Sequence, residues 1–313
     1  MAPAKPHLGV ITPRQYTGGE TGVHDEGPYS NQHIVAEDVV WDGTPGGFTY
    51  RGTDLRGHAD AFLVHFAFSG DPMDGFLATL ARALESARVP LLNSSEHTWV
   101  SGDKFLALQK ARGLGIATPR TLLARPAREN LESLVTLVER EFAYPFVLKP
   151  RGTMMGFAVV KVTDRDLLVS TLQLFSATAM SCLVQEFVPT DGREIRCLYV
   201  GGELLGAYER SNPAGFLTNA TPRAGHGTGT TVTRLAPTAP GLPALLDQGA
   251  LLLDGLSWDL AAIDWFRTES GYVLNEINPV PGSSSIPAED RLRFDERLAA
   301  AIRHRIDQAA TAA

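Results

Sequence analysis

Three oxygen-bearing side chains near the C-terminal end of the sequence could together bind a metal ion. Asp264 lies in one apolar segment, and Glu276 and Asn278 follow in a second. The second segment alternates apolar and polar residues, so on a strand Glu276 and Asn278 share one face while Asn275 points to the other. Two carboxylates and an amide carbonyl suit a hard divalent cation that also takes phosphate oxygens, as Mg²⁺ does.

These two segments are predicted to pair as an antiparallel hairpin. Residues 268–271, with the sequence Thr-Glu-Ser-Gly, are typical of a short turn between strands. Such a hairpin brings Asp264 beside Glu276 and Asn278. The alternative is an ordinary hairpin that carries a few solvated polar side chains.

A lysine and a glycine-bearing loop indicate a second candidate site. Lys149 lies near the end of the apolar strand 146–150, and the loop that follows includes Gly152 and Gly156. Glycine lets backbone N–H groups approach phosphate oxygens, and lysine supplies a point charge. Many hairpins carry Gly and Lys without binding a ligand, so this pattern favours phosphate binding only in combination with the metal site.

The composition indicates a globular protein with several compact units. The chain has 313 residues, 44% of them hydrophobic, which is enough for two or three such units. The net charge of −7 and the lack of a Lys/Arg run argue against a nucleic-acid partner. Cys182 and Cys197 form no Cys-x-x-Cys pair, and neither a signal peptide nor a membrane-spanning stretch is recognisable, so we expect a soluble cytoplasmic protein.

The order of predicted elements divides the chain into an α/β unit, 1–98, and two α+β units, 99–189 and 190–313. In the first unit strands alternate with a helix, which favours a small parallel sheet. The turn at 189–192 is a plausible hinge between the second and third units. The predicted strands are 7–12, 60–66, 89–93, 116–123, 146–150, 157–162, 182–188, 194–200 and 204–210, and the predicted helices are 73–88, 101 to 113 or 115, 129–141 and 289–307.

Three further features bear on function. The stretch 211–241 is rich in Gly, Thr and Pro and has neither strand nor helix period, so we expect a lid over a site, with a plain surface loop as the alternative. His24, His33 and His65 could act in the first unit, although unclustered histidines are more often packed or exposed residues. The C-terminal helix is expected to pack on the last unit, and a homodimer contact is the alternative.

From about residue 100 to 285, the chain resembles the ATP-grasp superfamily, and within it the RimK-type and D-alanine–D-alanine-ligase-like branch. The resemblance depends on short motifs that occur in the family's order. They are Ser101-Gly-Asp-Lys104, Phe146-Val-Leu-Lys-Pro150, Leu183-Val-Gln-Glu-Phe-Val188, Arg193-Glu-Ile-Arg-Cys-Leu198, Glu209-Arg210, Asn219 with Arg223-Ala-Gly225, and Asn275-Glu-Ile-Asn-Pro-Val-Pro-Gly282. The family fold, an α/β domain followed by two α+β domains that sandwich ATP, agrees with the three predicted units.

The resemblance implies roles for the matching residues. Lys104 and Lys149 would contact ATP phosphates, and Glu194 would hold the ribose hydroxyls. Arg196 and Arg210, together with Lys149, would stabilise the transferring phosphate or an acyl phosphate. The adenine-binding hinge would comprise Gln185, Glu186, Phe187 and Val188, the phosphate loop Gly152, Thr153 and Gly156, a further nucleotide contact Asn219, the Mg²⁺ (or Mn²⁺) site Asp264, Glu276 and Asn278, and the substrate carboxylate contacts Ser283, Ser284 and Ser285.

The implied reaction is that of an ADP-forming ligase with small-molecule carboxylate and amine substrates. The carboxylate attacks the γ-phosphate to give an acyl phosphate, and an amine then displaces phosphate to form an amide or peptide bond. The substrates are expected to be amino-acid-like, with intramolecular ring closure as an alternative. A regulator that binds ATP without turnover and an ATP-dependent small-molecule kinase are the other classes that share this ATP apparatus.

Overall fold

The computed structural model describes residues 5–14, 27–44, 46–65, 72–152, 156, 158–212, 230–281 and 286–311. The strands are β1 (His7–Thr12), β2 (Ser30–Val35), β3 (Val39–Trp41), β4 (Phe48–Tyr50), β5 (Thr53–Asp54), β6 (Ala61–Val64), β7 (Leu91–Leu92), β8 (Thr121–Ala124), β9 (Phe146–Pro150), β10 (Val160–Val162), β11 (Cys182–Glu186), β12 (Arg193–Val200), β13 (Glu203–Ser211), β14 (Thr231–Arg234), β15 (Leu260–Thr268) and β16 (Gly271–Asn278). The helices are α1 (Pro72–Ser86), α2 (Ser95–Gly102), α3 (Lys104–Gly113), α4 (Leu131–Glu141), α5 (Arg165–Ala177), α6 (Leu242–Leu253) and α7 (Ala288–Thr311). Within the described ranges, none of these helices is both long and apolar enough to cross a lipid bilayer.

The N-terminal sheet is parallel, as the alternation of strands and helix predicted. Its order is β2-β1-β6-β7, and β1 pairs in parallel with both β2 and β6. Leu77, Leu80 and Leu84 of α1 are buried in a core with Phe62 and Val64 of β6, so the apolar spacing that predicted this helix also marks its buried face. A small antiparallel sheet, β3-β4-β5, lies between β2 and β6 in the chain and was not predicted.

The second sheet is antiparallel, in the order β10-β9-β11-β8, and α4 and α5 contribute to its core. Val138 of α4 and Leu168 of α5 are fully buried in the same core as Phe146 and Leu148 of β9. The predicted helix 129–141 is confirmed as a short 3-10 turn followed by α4. Sequence analysis did not identify α5, and it extended β10 three residues too far toward the N-terminus.

The third sheet has the order β14-β13-β12-β15-β16, with all neighbouring strands antiparallel. β15 and β16 form the predicted hairpin, and Thr268 pairs with Gly271 across a two-residue loop. β14 corrects the prediction that 211–241 contains no strand, and α6 was also missed. Residues 213–229 lie outside the described ranges, so the prediction of a lid there stays a prediction.

A β-bulge in the hairpin overturns one detail of the sequence analysis. Asp264 pairs with Glu276, but the next residue, Trp265, pairs with Leu274, so Asn275 is an extra residue on β16. A bulge breaks the strict alternation of faces. The Asn275 side chain therefore lies on the same side as Glu276, where it contacts Lys149, and the prediction that it points away is wrong.

The helix predicted from residue 101 is interrupted at Asp103. α2 ends at Gly102, and α3 begins at Lys104 with Asp103 as its N-cap. The Asp103 carboxylate accepts hydrogen bonds from the backbone N–H groups of Phe105 and Leu106, at 2.9 and 3.2 Å. Lys104 is thus fixed at the first position of a capped helix.

Asn93 joins the N-terminal sheet to both strands of the hairpin. It follows β7, is fully buried, and has a left-handed φ of 60°. Its Oδ1 accepts from the backbone N–H groups of Asp259 and Leu260 at 2.8 and 2.9 Å, and its Nδ2 donates to the carbonyl of Pro279 at 2.7 Å. One side chain therefore holds the start of β15 and the residue after β16.

Replacement of Asn93 should be strongly destabilising. Asn93→Gly leaves three buried backbone groups without this partner and is expected to lower the free energy of unfolding by about 3 kcal/mol. Asn93→Ala should lose roughly 1 kcal/mol more, because alanine is strained at left-handed φ. Urea unfolding followed by circular dichroism measures both, with Gln173→Ala on the exposed side of α5 as a control expected to stay within about 0.5 kcal/mol of wild type. A loss under about 1 kcal/mol in both Asn93 variants would contradict this role.

Candidate active site

The candidate site lies on one face of the third sheet, where residues opposite each other on adjacent strands carry charged side chains. Arg196 on β12 pairs with Asp264 on β15, and Asp264 in turn pairs with Glu276 on β16. Glu194 pairs in the same way with Arg210 on β13. Because directly opposed residues share a face, the register alone places these five side chains side by side.

Asp264 is the centre of the charge cluster. It is fully buried, and Arg196 contacts both of its oxygens, Nε to Oδ1 and Nη2 to Oδ2, at 2.7 Å each. Arg210 adds a contact of 3.1 Å to Oδ2. Burial alone would raise the pKa of Asp264, but the charges of Arg196 and Arg210 outweigh it and lower the pKa to about 2. Asp264 is therefore ionised at any working pH.

Glu194 and Arg210 form a second ion pair in the cluster, and both side chains are buried. Asn275 Nδ2, placed by the bulge, donates to Glu194 Oε2 at 3.4 Å. Arg210 thus bridges Glu194 and Asp264. Because both are buried, Glu194 is not a surface acid and Arg210 does not belong to a surface salt bridge.

The three predicted metal ligands come together in the structure. Asn278 Nδ2 lies 3.2 Å from Asp264 Oδ2 and 3.4 Å from Glu276 Oε1. Over the described ranges, no three His, Cys, Asp or Glu side chains converge as a metal site would require. The candidate donor set therefore consists of two carboxylates and the Asn278 amide, all of which offer the oxygen atoms that hard cations prefer.

Two lysines face this oxygen cluster from other elements, Lys149 buried and Lys104 mostly so. Lys104 Nζ, at the start of α3, lies 4.0 Å from Glu276 Oε2, and Lys149 Nζ, on β9, lies 3.5 Å from Asn275 Oδ1. Burial lowers the pKa of Lys104, and it lowers the pKa of Lys149 to about 8 although the Glu276 carboxylate opposes the shift. Two desolvated ammonium groups beside one carboxylate form a setting that a bound anion would stabilise.

The predicted adenine hinge lies at the end of β11. Gln185 is buried and donates from Nε2 to Thr121 Oγ1 at 3.0 Å, while the Glu186 backbone N–H donates to the carbonyl of Arg120 at 2.9 Å. Phe187 follows, with Lys161 Nζ 4.0 Å from its ring centroid, and then Val188. Nothing in these contacts tests the nucleotide assignment, so the hinge stays a prediction.

Several predicted residues fall outside the described ranges. Of the predicted phosphate-loop residues, the structure describes Gly152, which is buried, and Gly156, whose φ of 64° favours glycine. The residues that lie outside are Thr153, Asn219, Ser283, Ser284, Ser285 and His24.

Thr12 and His65 form a polar cluster at the carboxyl end of the parallel sheet, and sequence analysis had named His65 but not Thr12. Thr12 Oγ1 and His65 Nδ1 are buried and have no hydrogen-bond partner among the described residues. His33 lies near enough to His65 to lower its pKa further, after the larger effect of burial, to about 4, so His65 is neutral at pH 7. Buried polar groups normally find a partner, which here can be water or a ligand. The signal in the sequence was a polar residue directly after an apolar strand.

Comparison with protein-family models identifies the family of this chain. The RimK-like ATP-grasp domain matches residues 101–302. Among curated proteins, a probable alpha-L-glutamate ligase of Syntrophotalea carbinolica is 27% identical over 256 residues, which cover 79% of this chain and 79% of that protein.

Solved structures of ligases share the fold over almost the entire chain. The VanG D-Ala:D-Ser ligase of Enterococcus faecalis superposes with a TM-score of 0.69 at 18% identity, covering 97% of this chain and 100% of that one. The D-alanine–D-alanine ligase of Bacillus anthracis complexed with ATP has a TM-score of 0.62 at 18% identity, with coverage of 97% and 99%. The expected ATP-grasp fold of mixed α/β type is therefore confirmed.

The lowered pKa of Lys149 predicts that nucleotide affinity falls in alkaline solution. Below pH 8 the ammonium is charged and can pair with phosphate, whereas above its pKa of about 8 the unliganded protein loses this charge. We expect the Kd for ATP to rise by up to about tenfold per pH unit above that value, with proton uptake on binding. Isothermal titration calorimetry between pH 7 and 9.5, in two buffers of different ionisation enthalpy, measures both effects. The matched variant Lys149→Arg keeps its charge and should flatten the profile, and an equal slope in both proteins would contradict the assignment.

Proposed function

Since the chain belongs to the RimK-like ATP-grasp family of carboxylate–amine ligases, we propose that it is an ADP-forming ligase that makes an amide or peptide bond through an acyl phosphate. The observation that carries the proposal is that Lys104 of α3 and Lys149 of the second sheet meet an oxygen-donor cluster on the third sheet. Cations and metal-binding oxygens in one space are what a nucleotide triphosphate with its metal requires. Lys104 and Lys149 would contact its phosphates.

We propose the remaining nucleotide contacts for residues on and next to the second and third sheets. The segment from Gln185 to Val188 lies at the end of β11 and would contact the adenine, while Gly152 and Gly156 belong to the loop that would cover the phosphates. Glu194 would bind the ribose. Because Glu194 pairs with Arg210 in the structure, ribose binding would add hydroxyl donors to a carboxylate that is already held in place.

Mg²⁺ or Mn²⁺ fits the donor set of Asp264, Glu276 and Asn278. These side chains contact one another, and Glu276 keeps 25% of its side-chain surface exposed. Asp264 Oδ1 accepts a hydrogen bond from Arg196 Nε, but a carboxylate oxygen has two lone pairs and can also bind a cation. When bound, the ion would neutralise charge on the phosphates.

The chemistry needs no nucleophile from the protein. A substrate carboxylate oxygen attacks the γ-phosphorus and ADP departs, which leaves an acyl phosphate. The amine nitrogen then attacks the acyl carbon, phosphate departs, and the nitrogen loses a proton. Arg196 and Arg210 lie next to the metal-binding oxygens and would stabilise charge on the transferring phosphoryl group, so catalysis would depend on positioning and electrostatics.

The substrates are proposed to be amino-acid-like small molecules. The related proteins named above include a probable alpha-L-glutamate ligase and a D-Ala:D-Ser ligase, and both names refer to amino acids. The polar cluster of Thr12 and His65 supports a small-molecule pocket near this site. Val10 and Leu63, two residues before Thr12 and His65 on their strands, pack in one core with Ala262. Ala262 lies two residues before Asp264 on β15, so the polar cluster and Asp264 both follow directly from this shared core. Ser283, Ser284 and Ser285 would supply further contacts to a substrate carboxylate. Ring closure within one molecule fits the same site.

Two buried thiols fit the proposed cytoplasmic location. Cys182 and Cys197 are both free, and burial raises the pKa of each to about 12. Unreactive thiols of this kind suit a reducing compartment.

Phosphate release with pairs of amino acids tests the ligase proposal. We expect ADP and phosphate to form only when both an acyl and an amine substrate are present, and hydroxylamine in place of the amine to yield a hydroxamate by trapping the acyl phosphate. A stable phosphorylated product without phosphate release would instead identify a kinase. Nucleotide binding without turnover on any substrate panel would identify a regulator.

Glu276→Gln tests the candidate metal site within this reaction. The change removes a carboxylate charge at nearly constant size, so turnover should fall at least about 100-fold while the fold is kept. Steady-state phosphate release and thermal unfolding measure the two effects. The control, Glu203→Gln, changes an exposed acid at the far end of β13 and should leave turnover intact. Normal turnover in Glu276→Gln would remove Glu276 from the site.

A further inference from the structure

An ion pair connects the start of the glycine-bearing loop to the start of α3. Arg151 directly follows β9, and its Nε donates to Asp103 Oδ2 at 2.7 Å, while Nη2 contacts the same oxygen. Asp103 Oδ1 serves a different purpose, because it accepts the two backbone hydrogen bonds that cap α3. One fully buried carboxylate thus caps a helix with one oxygen and binds a guanidinium with the other.

Each member of this ion pair lies close in sequence to one of the two candidate phosphate-binding lysines. Asp103 is the residue before Lys104, and Arg151 is two residues after Lys149. The Arg151 backbone N–H also donates to the carbonyl of Ser181 at 3.1 Å, which ties it to the residue before β11. The pair therefore fixes the distance between two backbone segments, each of which carries one of the lysines.

Glu276 faces both lysines, but the two ammonium groups do not attract each other. Each bears a positive charge, and the charge of Lys104 contributes to the lowered pKa of Lys149, so the two ammonium groups repel each other. Before an anion binds, the repulsion acts to separate α3 from β9. An attractive contact between the neighbouring residues opposes this separation, and a buried carboxylate with a guanidinium is among the stronger contacts that a protein can form.

We propose that Arg151 and Asp103 are positioning residues that hold Lys104 and Lys149 ready for the phosphates of ATP in the unliganded protein. The proposal rests on the proposed function, since it assumes that both lysines contact phosphate. Preorganisation of this kind increases affinity by reducing the ordering that binding requires. It should therefore affect ATP rather than the amine substrate.

Two substitutions separate this role from a helix-capping role. Asp103→Asn keeps a good N-cap, because asparagine caps helices about as well as aspartate, but it replaces the oxygen that faces Arg151 with an uncharged amide. Arg151→Gln removes the partner charge. We expect each variant to raise the Kd for Mg²⁺ and a non-hydrolysable ATP analogue about tenfold, with the KM of the amine substrate close to wild type. Asp103→Asn should keep the wild-type Tm, whereas Arg151→Gln should lower it, because Asp103 then stays buried without its partner charge. The double variant should be no weaker than either single one, because the two substitutions remove the same contact.

Further variants make the test specific. Arg151→Lys keeps the charge without the guanidinium fork and should restore part of the affinity. Arg165→Gln breaks an exposed ion pair with Glu139 and should bind like wild type. Wild-type affinity in Asp103→Asn, with a loss only in Arg151→Gln, would show that Arg151 contacts the nucleotide directly and would overturn the proposal. So would a fall in the Tm of Asp103→Asn with an equal rise in the KM of both substrates, which marks a purely structural pair. Failure of the wild-type protein to bind the analogue would refute the proposed function instead.

Discussion

The ion pairs of Asp264 are the constraint on which the rest of the site depends. A buried carboxylate is tolerated only when opposite charges surround it, and here Arg196 and Arg210 provide them from two other strands of the sheet. A one-residue slip of β12 against β15 would send Arg196 to the opposite face and leave Asp264 uncompensated. The register of the third sheet is thus specified by charge as well as by its apolar core. The same requirement makes the arrangement rigid before any ligand arrives.

The distribution of charge in the cluster also favours the binding of an anion next to a cation. Arg196 and Arg210 are matched by the carboxylates of Glu194 and Asp264, whereas the single carboxylate of Glu276 faces both Lys104 and Lys149. The surplus positive charge lies toward α3 and β9, and the surplus oxygen donors lie toward β16. An anion and a cation can therefore bind next to each other, and the charge of each stabilises the binding of the other.

Sequence reasoning reached the parts of the site that follow from local pattern. The alternation of β16 and the short turn predicted the hairpin, and the ordered motifs placed both lysines and the arginines. The side on which Asn275 lies was not predicted, because a bulge depends on how two strands pair. The ion pair of Asp103 with Arg151 was not predicted either, because the two residues are 48 positions apart in the sequence. The break before Lys104 was missed although an N-cap aspartate was visible, because the apolar pattern on either side runs through it. α5 was missed although Asp164 caps it. Domain boundaries and the residues outside the described ranges stay predictions.

Asn93 has a consequence for how such a protein can change over time. Its side chain satisfies backbone groups on both strands that carry the metal-binding candidates, yet it belongs to the end of the parallel sheet. A recombination event that exchanged the N-terminal segment for that of a relative would have to import an equivalent amide at this junction. Otherwise the hairpin would lose its anchor even though none of its own residues had changed. New acceptor specificity in this architecture is therefore more accessible through substitutions that surround the junction than through replacement of the segment as a block.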